Sequence, residues 1–222
     1  KDVIALIVKD LSEAKALLAH EQNESLKTSD RRYRFNYHAV NALLARVYSY
    51  AGDSTNAIAS AEEVIKKSGL ELSSNNQDDP ILFSECICAL YKHHLTEALS
   101  QFWADGDKYT TQYFIRSERF NKYFEVSGNL KEDMRTKTAA FYEHSSTKTA
   151  LSRKYSINSQ EAIPLIRLPE MYYILAENTS DLTKAAKYLN AVRNKRGYSR
   201  SVNVQFTNAA TQQAALDKEF RK

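Results

Sequence analysis

The stretch IPLIRLPEMYYILAENTSDLTKAAKYLNAVRNKRGYS, Ile163 to Ser199, decides how the rest of the chain is read. Pro169 suits the first turn of a helix, where its missing N–H costs nothing, and Tyr173 and Ala176 fall on that helix. Asp181 has the side chain to cap a second helix, which carries Leu182, Ala185, Ala186, Leu189 and Val192 at helical spacing. Arg193, Lys195 and Arg196 fall in its last turn, where cations complement the helix dipole, and Gly197 follows. Helices joined by so short a turn pack antiparallel. A third helix is expected from about Ala209 to the end of the chain.

Upstream, a second pair repeats the logic. Val40, Leu43, Leu44, Val47, Tyr48 and Ala51 form one helical face, and Gly52 stands where a left-handed residue ends a helix. Asp53 or Ser54 then caps a helix with Ala57, Ile58, Ala61, Val64 and Ile65 on one side, ending near Gly69. Ala45 and Ala57 mark where the two helices approach closely. The spacing of Ala45, Tyr48, Gly52 and Ala57 resembles the tetratricopeptide pattern. Before this pair, Ile4, Ile7, Val8, Leu11, Ala14, Leu17 and Leu18 make a further helical stripe, and His20 to Asp30 reads as a loop.

Composition agrees with helices. The chain has 222 residues with only 5 Gly and 3 Pro, too few turn-formers for a β-sandwich or barrel. With 43% hydrophobic residues it is not disordered, and the balance of 31 Lys+Arg against 27 Asp+Glu gives only +4. No run approaches the ~20 apolar residues of a membrane-spanning helix. The chain starts KDVIALIV and stops at ALDKEFRK in mid-pattern, so it is expected to be an internal or C-terminal part of a longer protein. The middle, about 70–162, has a different texture and reads as a mixed loop/strand insertion between helical pairs at about 1–69 and 163–222. A strand is expected in ILFSECICAL, and short helices near 117–126 and 132–142. The whole of 1–222 is expected to form a single domain fragment, mainly α.

Few residues carry recognisable chemistry. On a strand Cys86 and Cys88 would face the same way, too close for an unstrained disulfide. His93, His94 and Glu97 follow, but a zinc site needs a second distant pair, so buried free thiols and no metal are expected. No nucleophile, P-loop or dinucleotide motif occurs, and neither catalysis nor a cofactor is expected. The basic residues Arg31, Arg32 and Arg34, and Lys184, Lys187, Arg193, Lys195, Arg196 and Arg200, read as solvated faces and helix-end cations rather than a nucleic-acid groove. The informative feature is aromatic. Trp103, Asp105, Asp107, Tyr109, Gln112 and Tyr113 combine flat rings with polar groups, which is what stacking on sugar C–H faces and pairing with sugar hydroxyls require. The same rings could instead fill a core. Trp103, Asp105, Tyr109, Gln112 and Tyr113 are the candidate ligand-binding set.

Taken together, these residues resemble the SusD/RagB family. Its signature is an arginine-bearing strand, an E-x-Y-x-x-x-A-E helix, and a helix ending L-N-x-V-R-x-x-R-G. Here the matching residues are Arg167, Glu170, Tyr172 or Tyr173, Ala176, Glu177, Leu189, Asn190, Val192, Arg193, Arg196 and Gly197. The pair ALLARVYSYAGDSTNAIASAEEVI, the D-x-R of Asp133–Met134–Arg135 and the helix start ALDKEFRK agree in order. The resemblance implies a SusD-like fold of tetratricopeptide-like pairs. It also implies a cell-surface lipoprotein of the outer membrane, lipid-anchored by a segment outside this sequence. Such a protein captures a glycan, or sometimes a peptide, and acts with a SusC-like TonB-dependent transporter. Within the signature, Arg167, Glu170, Glu177 and Arg193 are expected to pair across helices, and Asn190 to bond a backbone group. The competing expectation is a protein-binding tetratricopeptide adaptor working through a basic groove around Arg193 and Arg196.

Overall fold

The computed structural model describes residues 2–27, 30–75, 79–99, 102, 114–125, 133–136, 141–143, 149–155 and 161–222. Helix α1 runs Asp2–Leu17, α2 Tyr37–Ala51 and α3 Ser54–Lys67. Strand β1, Cys86–Tyr91, precedes the short α4, Leu95–Leu99. Then come β2, Phe114–Ile115, α5, Ser117–Phe124, β3, Phe141–Glu143, and β4, Ala150–Ser152. The chain finishes with β5, Ala162–Arg167, α6, Leu168–Asn178, α7, Leu182–Lys195, and α8, Ala209–Phe220. The fold is mainly α with a small strand component.

The α2–α3 hairpin forms as its capping residues dictate. Asn36 accepts from the Ala39 N–H at 2.9 Å to start α2. Gly52 ends it at φ 79°, a conformation that strains any residue with a Cβ, and Asp53 accepts from the Asn56 N–H to start α3. Ala45 and Ala57 are fully buried, with Ala42 and Ala61, so the two helices meet through methyl groups. In α6–α7, Asp181 accepts from the N–H groups of Thr183 and Lys184. Asn190 fixes the exit from α7 with a reciprocal pair of bonds, accepting from Val204 N–H at 3.0 Å and donating to Val204 carbonyl at 2.8 Å. One apolar core unites α2, α3, α6, α7 and α8, including Val64, Leu168, Met171, Leu175, Leu189, Val192 and Leu216. Helix α1 adds Leu11 against Val40 and Leu44, whereas Leu17, expected on its buried stripe, is exposed.

Strands β1 and β5 pair antiparallel and form a two-stranded ribbon; β2, β4 and β3 form a three-stranded sheet in that order. Asn36 ties the ribbon to the scaffold, donating to the Ile87 carbonyl at 3.0 Å from the foot of α2. The register of β1 slips between Cys86 and Cys88 and again before Ala89. That irregularity corrects the expectation that both thiols share a face. Cys86 packs with Ile81, Phe83 and Ala89, while Cys88 packs with the helical core. The expected helix near 132–142 is also corrected. Met134–Thr136 form a single 3-10 turn, and Phe141–Glu143 form β3. Asp133 explains the turn, since its carboxylate accepts from Arg135 N–H at 3.0 Å and from the Arg135 guanidinium at 2.9 and 2.7 Å.

Both cysteines are free and buried, and burial pushes the Cys86 thiol up to about 12 and raises that of Cys88. Because the thiolate is the nucleophile, neither should react with an aromatic disulfide reagent in the native protein at neutral pH. Both should react on addition of denaturant, an outcome read by absorbance; rapid native labelling would contradict the burial.

Candidate functional site

Trp103, Asp105, Tyr109, Gln112 and Tyr113 lie outside the described residues, as does Asp107. The structure describes the flanks of this segment. On the upstream side, Leu95 of α4 is buried beside Ile81, Phe83, Tyr155 and Ala162. On the downstream side, β2 pairs with β4, Phe114 opposite Leu151. Part of the aromatic-rich section does fill space: Phe120 lies 4.9 Å from Phe124 and 5.1 Å from Phe141, ring centre to ring centre. Other rings stay outside. Tyr91 is 58% exposed and Phe114 55%.

Tyr91 belongs to a polar cluster where the ribbon ends. Its hydroxyl donates to Glu161 Oε2 at 2.8 Å, and the His94 backbone N–H donates to Glu161 Oε1 at 2.7 Å. His93 Nδ1 lies 3.3 Å from the same carboxylate, and the His94 ring meets Glu97 at 2.9 Å. The His94 N–H, followed by the Tyr91 hydroxyl, holds the Glu161 carboxyl below its ordinary range. The same bond to Glu161 leads the causes that raise the Tyr91 phenol. Near neutral pH the cluster therefore offers an ionised acceptor beside a protonated, exposed ring. His94 and Glu161 both adopt positive φ, 55° and 49°, a conformation non-glycine residues reach only when neighbours compensate. An exposed ring with an acceptor at its edge can stack on one face of a sugar and take a hydroxyl proton at its rim. Glu161 carries no local signal in the sequence beside His93, His94 and Glu97, because its partners lie 67 to 70 residues away. Among the described residues, no three His, Cys, Asp or Glu side chains are grouped to hold a metal ion.

Lys184, Lys187, Lys195 and Arg200 are exposed, as expected of a solvated face, whereas Arg31, Arg32, Arg34, Arg193 and Arg196 have partners. Arg31 and Arg34 pair with the buried Glu21, and Arg32 donates to the Phe83 carbonyl at 2.8 Å while stacking on that ring. Arg193 and Arg196 are 4% and 2% exposed. Arg196 makes two 2.7 Å bonds to Glu85, and Arg193 reaches Glu219 at 2.8 Å and Glu125 at 3.0 Å. These two are therefore interior ion-pair partners, which corrects their reading as solvated helix-end cations and removes them from any basic groove. Of the other expected pairs, Glu170 bonds Arg46 at 2.6 Å. Glu177 has a long 3.4 Å contact from Ser49. Arg167 has no carboxylate partner among the described residues, contrary to expectation.

With this geometry the chain resembles known structures along its whole length. It superposes on a SusD superfamily protein from Bacteroides vulgatus with a TM-score of 0.73 and 18% identity, covering 100% of this chain and 52% of that one. A SusD-like carbohydrate binding protein from the same species gives 0.69 and 18%, covering 99% and 47%. A laminarin binding SusD-like protein gives 0.68 and 18%, covering 97% and 58%. No protein-family model matches the sequence, and no curated protein matches it either. The chain has the SusD-like fold and spans about half the length of these SusD-like structures. No helix among the described residues is long and apolar enough to cross a membrane.

Proposed function

We propose that the protein captures an oligosaccharide at the cell surface and passes it, chemically unchanged, to a TonB-dependent outer-membrane transporter of the SusC type. The observation that carries the reading is the SusD-like fold, shared with a carbohydrate binding and a laminarin binding protein. The exposed Tyr91 ring beside an ionised Glu161 supports it. In this reading residues 1–222 are one domain, held at the outer membrane by a lipid anchor on a preceding segment. The glycan rests on Trp103, Tyr109, Tyr113 and Tyr91, with Asp105, Gln112 and Glu161 taking its hydroxyls. Binding is modest, because a shallow wet site keeps many of its waters.

Calorimetry against a panel of neutral glycans and peptides tests this. Expected is saturable heat with at least one glycan, weakened on the order of tenfold by Trp103→Ala and by Tyr91→Ala. Silence across the glycans, or affinity untouched by both substitutions, would sink the reading. Heat from peptides alone would redirect it to a peptide ligand. Shortened glycan in the recovered sample would establish turnover.

A further inference from the structure

A cavity of about 390 Å³ opens between β4, β5, the first turn of α6 and the end of α8. Its size is at the lower end of the ~300–1,000 Å³ typical of small-molecule sites. Five cations line it: Arg135, Lys154, Arg167, Arg196 and Lys222. Three are already matched. Arg135 lies 2.7 Å from Asp133 and 3.1 Å from Glu219, and Arg196 is held by Glu85 at 2.7 Å. Lys222 lies 2.6 Å from Glu219 and 3.3 Å from Glu125. The two lining acids are spent as well, Glu219 on this network and Glu170 on Arg46.

Lys154 and Arg167 remain, both half-buried and without a carboxylate among the described residues. The Lys154 ammonium lies 5.3 Å from the Tyr155 ring centroid. Burial first, and then the Arg167 charge, pull its pKa below the ordinary lysine value. Two mutually repelling cations on one cavity wall are unfavourable while the cavity holds only water, and become favourable when an anion sits between them. The α6 N-terminus adds to the same field. Arg167 occupies its cap position and supplies no side-chain acceptor to the first-turn N–H groups.

We propose that this cavity binds the carboxylate of an acidic sugar, with the Arg167 guanidinium as a two-pronged partner and the Lys154 ammonium as a second charge. A planar fork suits a planar carboxylate, and a flexible ammonium adds attraction without demanding geometry. That the carboxylate belongs to a saccharide rests on the glycan reading above; the requirement for an anion rests on the cavity.

The test titrates the whole protein with digalacturonate and with neutral galactobiose at low ionic strength, beside the neutral-glycan panel. Expected is saturable binding of digalacturonate, at least tenfold tighter than galactobiose, weakening as salt screens the charges. Lys154→Gln should weaken digalacturonate about tenfold, and Arg167→Lys should fall between wild type and Arg167→Gln. Absence of digalacturonate binding while neutral glycans bind overturns this inference alone. Absence of both overturns it together with the glycan reading. Digalacturonate binding that survives in folded Lys154→Gln but is lost in Trp103→Ala moves the acidic ligand to the aromatic segment and overturns the cavity assignment.

Discussion

Replacing Glu85 with alanine is expected to cost about 3–5 kcal/mol of folding stability, the usual penalty for stranding a buried charge. Arg196 and Glu85 are 2% and 0% exposed and face each other through two 2.7 Å bonds. The carboxylate also accepts from the Ser73 N–H at 2.5 Å, and the guanidinium donates to the Ser73 carbonyl at 2.8 Å. Glu85 is the only carboxylate to which Arg196 is bonded among the described residues, so its loss leaves a cation with no counterion and little water. Attraction is not the source of the effect, since burying both ions already consumes most of it. The double substitution Glu85→Leu with Arg196→Met should therefore recover most of the lost stability. Urea unfolding of the three proteins measures this. A single-variant loss under about 1 kcal/mol would mean that water reaches the pair.

The second expected effect is smaller and depends on pH. Glu219, 2% exposed, lies 2.8 Å from Arg193, 3.1 Å from Arg135 and 2.6 Å from Lys222. Removing it with Glu219→Ala should cost about 3 kcal/mol. The loss stays at the low end because Arg193 keeps Glu125 and Arg135 keeps Asp133. Burial on its own would raise the Glu219 carboxyl, but the surrounding cations outweigh it and hold the group below its ordinary 4.5. Burial likewise opposes ionisation of Glu125, yet Lys218, Arg193 and Lys222 bring it down to about 2. Groups whose pKa is lower in the folded than in the unfolded state contribute stability that is complete above the unfolded value. That contribution is lost as pH falls through the folded one. The protein should thus hold its stability down to about pH 5 and lose it steeply between there and pH 2. Glu219→Ala should flatten that slope. An unchanged slope in thermal melts across this range would show that the network does not govern acid unfolding.

The helix pairs were legible because each boundary is decided locally. Asp53, Gly52, Asp181 and Asn190 act on backbone groups within their own turn or the next loop, and small residues at Ala45 and Ala57 have no other use. The same locality explains what was hidden. Arg193 and Arg196 look like ordinary last-turn cations because their partners Glu125 and Glu85 stand 68 and 111 residues away in the chain. The slipped register of β1 had no signal, since CICALY alternates nothing that marks an irregular strand. Of the candidate site, composition points to the rings and polar groups of Trp103 to Tyr113, which lie outside the described residues, but not to Glu161, which the pairing of β1 with β5 brings to Tyr91.

That pairing fixes how the intervening chain is attached. The Lys92 N–H donates to the Glu161 carbonyl at 2.7 Å, so the two ends of the 93–160 segment are held side by side at the end of the ribbon. For a segment anchored in this way, doubling the enclosed length costs only about 0.6 kcal/mol of closure entropy. The ribbon thus works as a socket: length can be added at its mouth at little entropic cost, but the parts of the segment that carry Glu125 and Arg135 must stay, because they pair with Arg193, Lys222 and Glu219 of the helical scaffold.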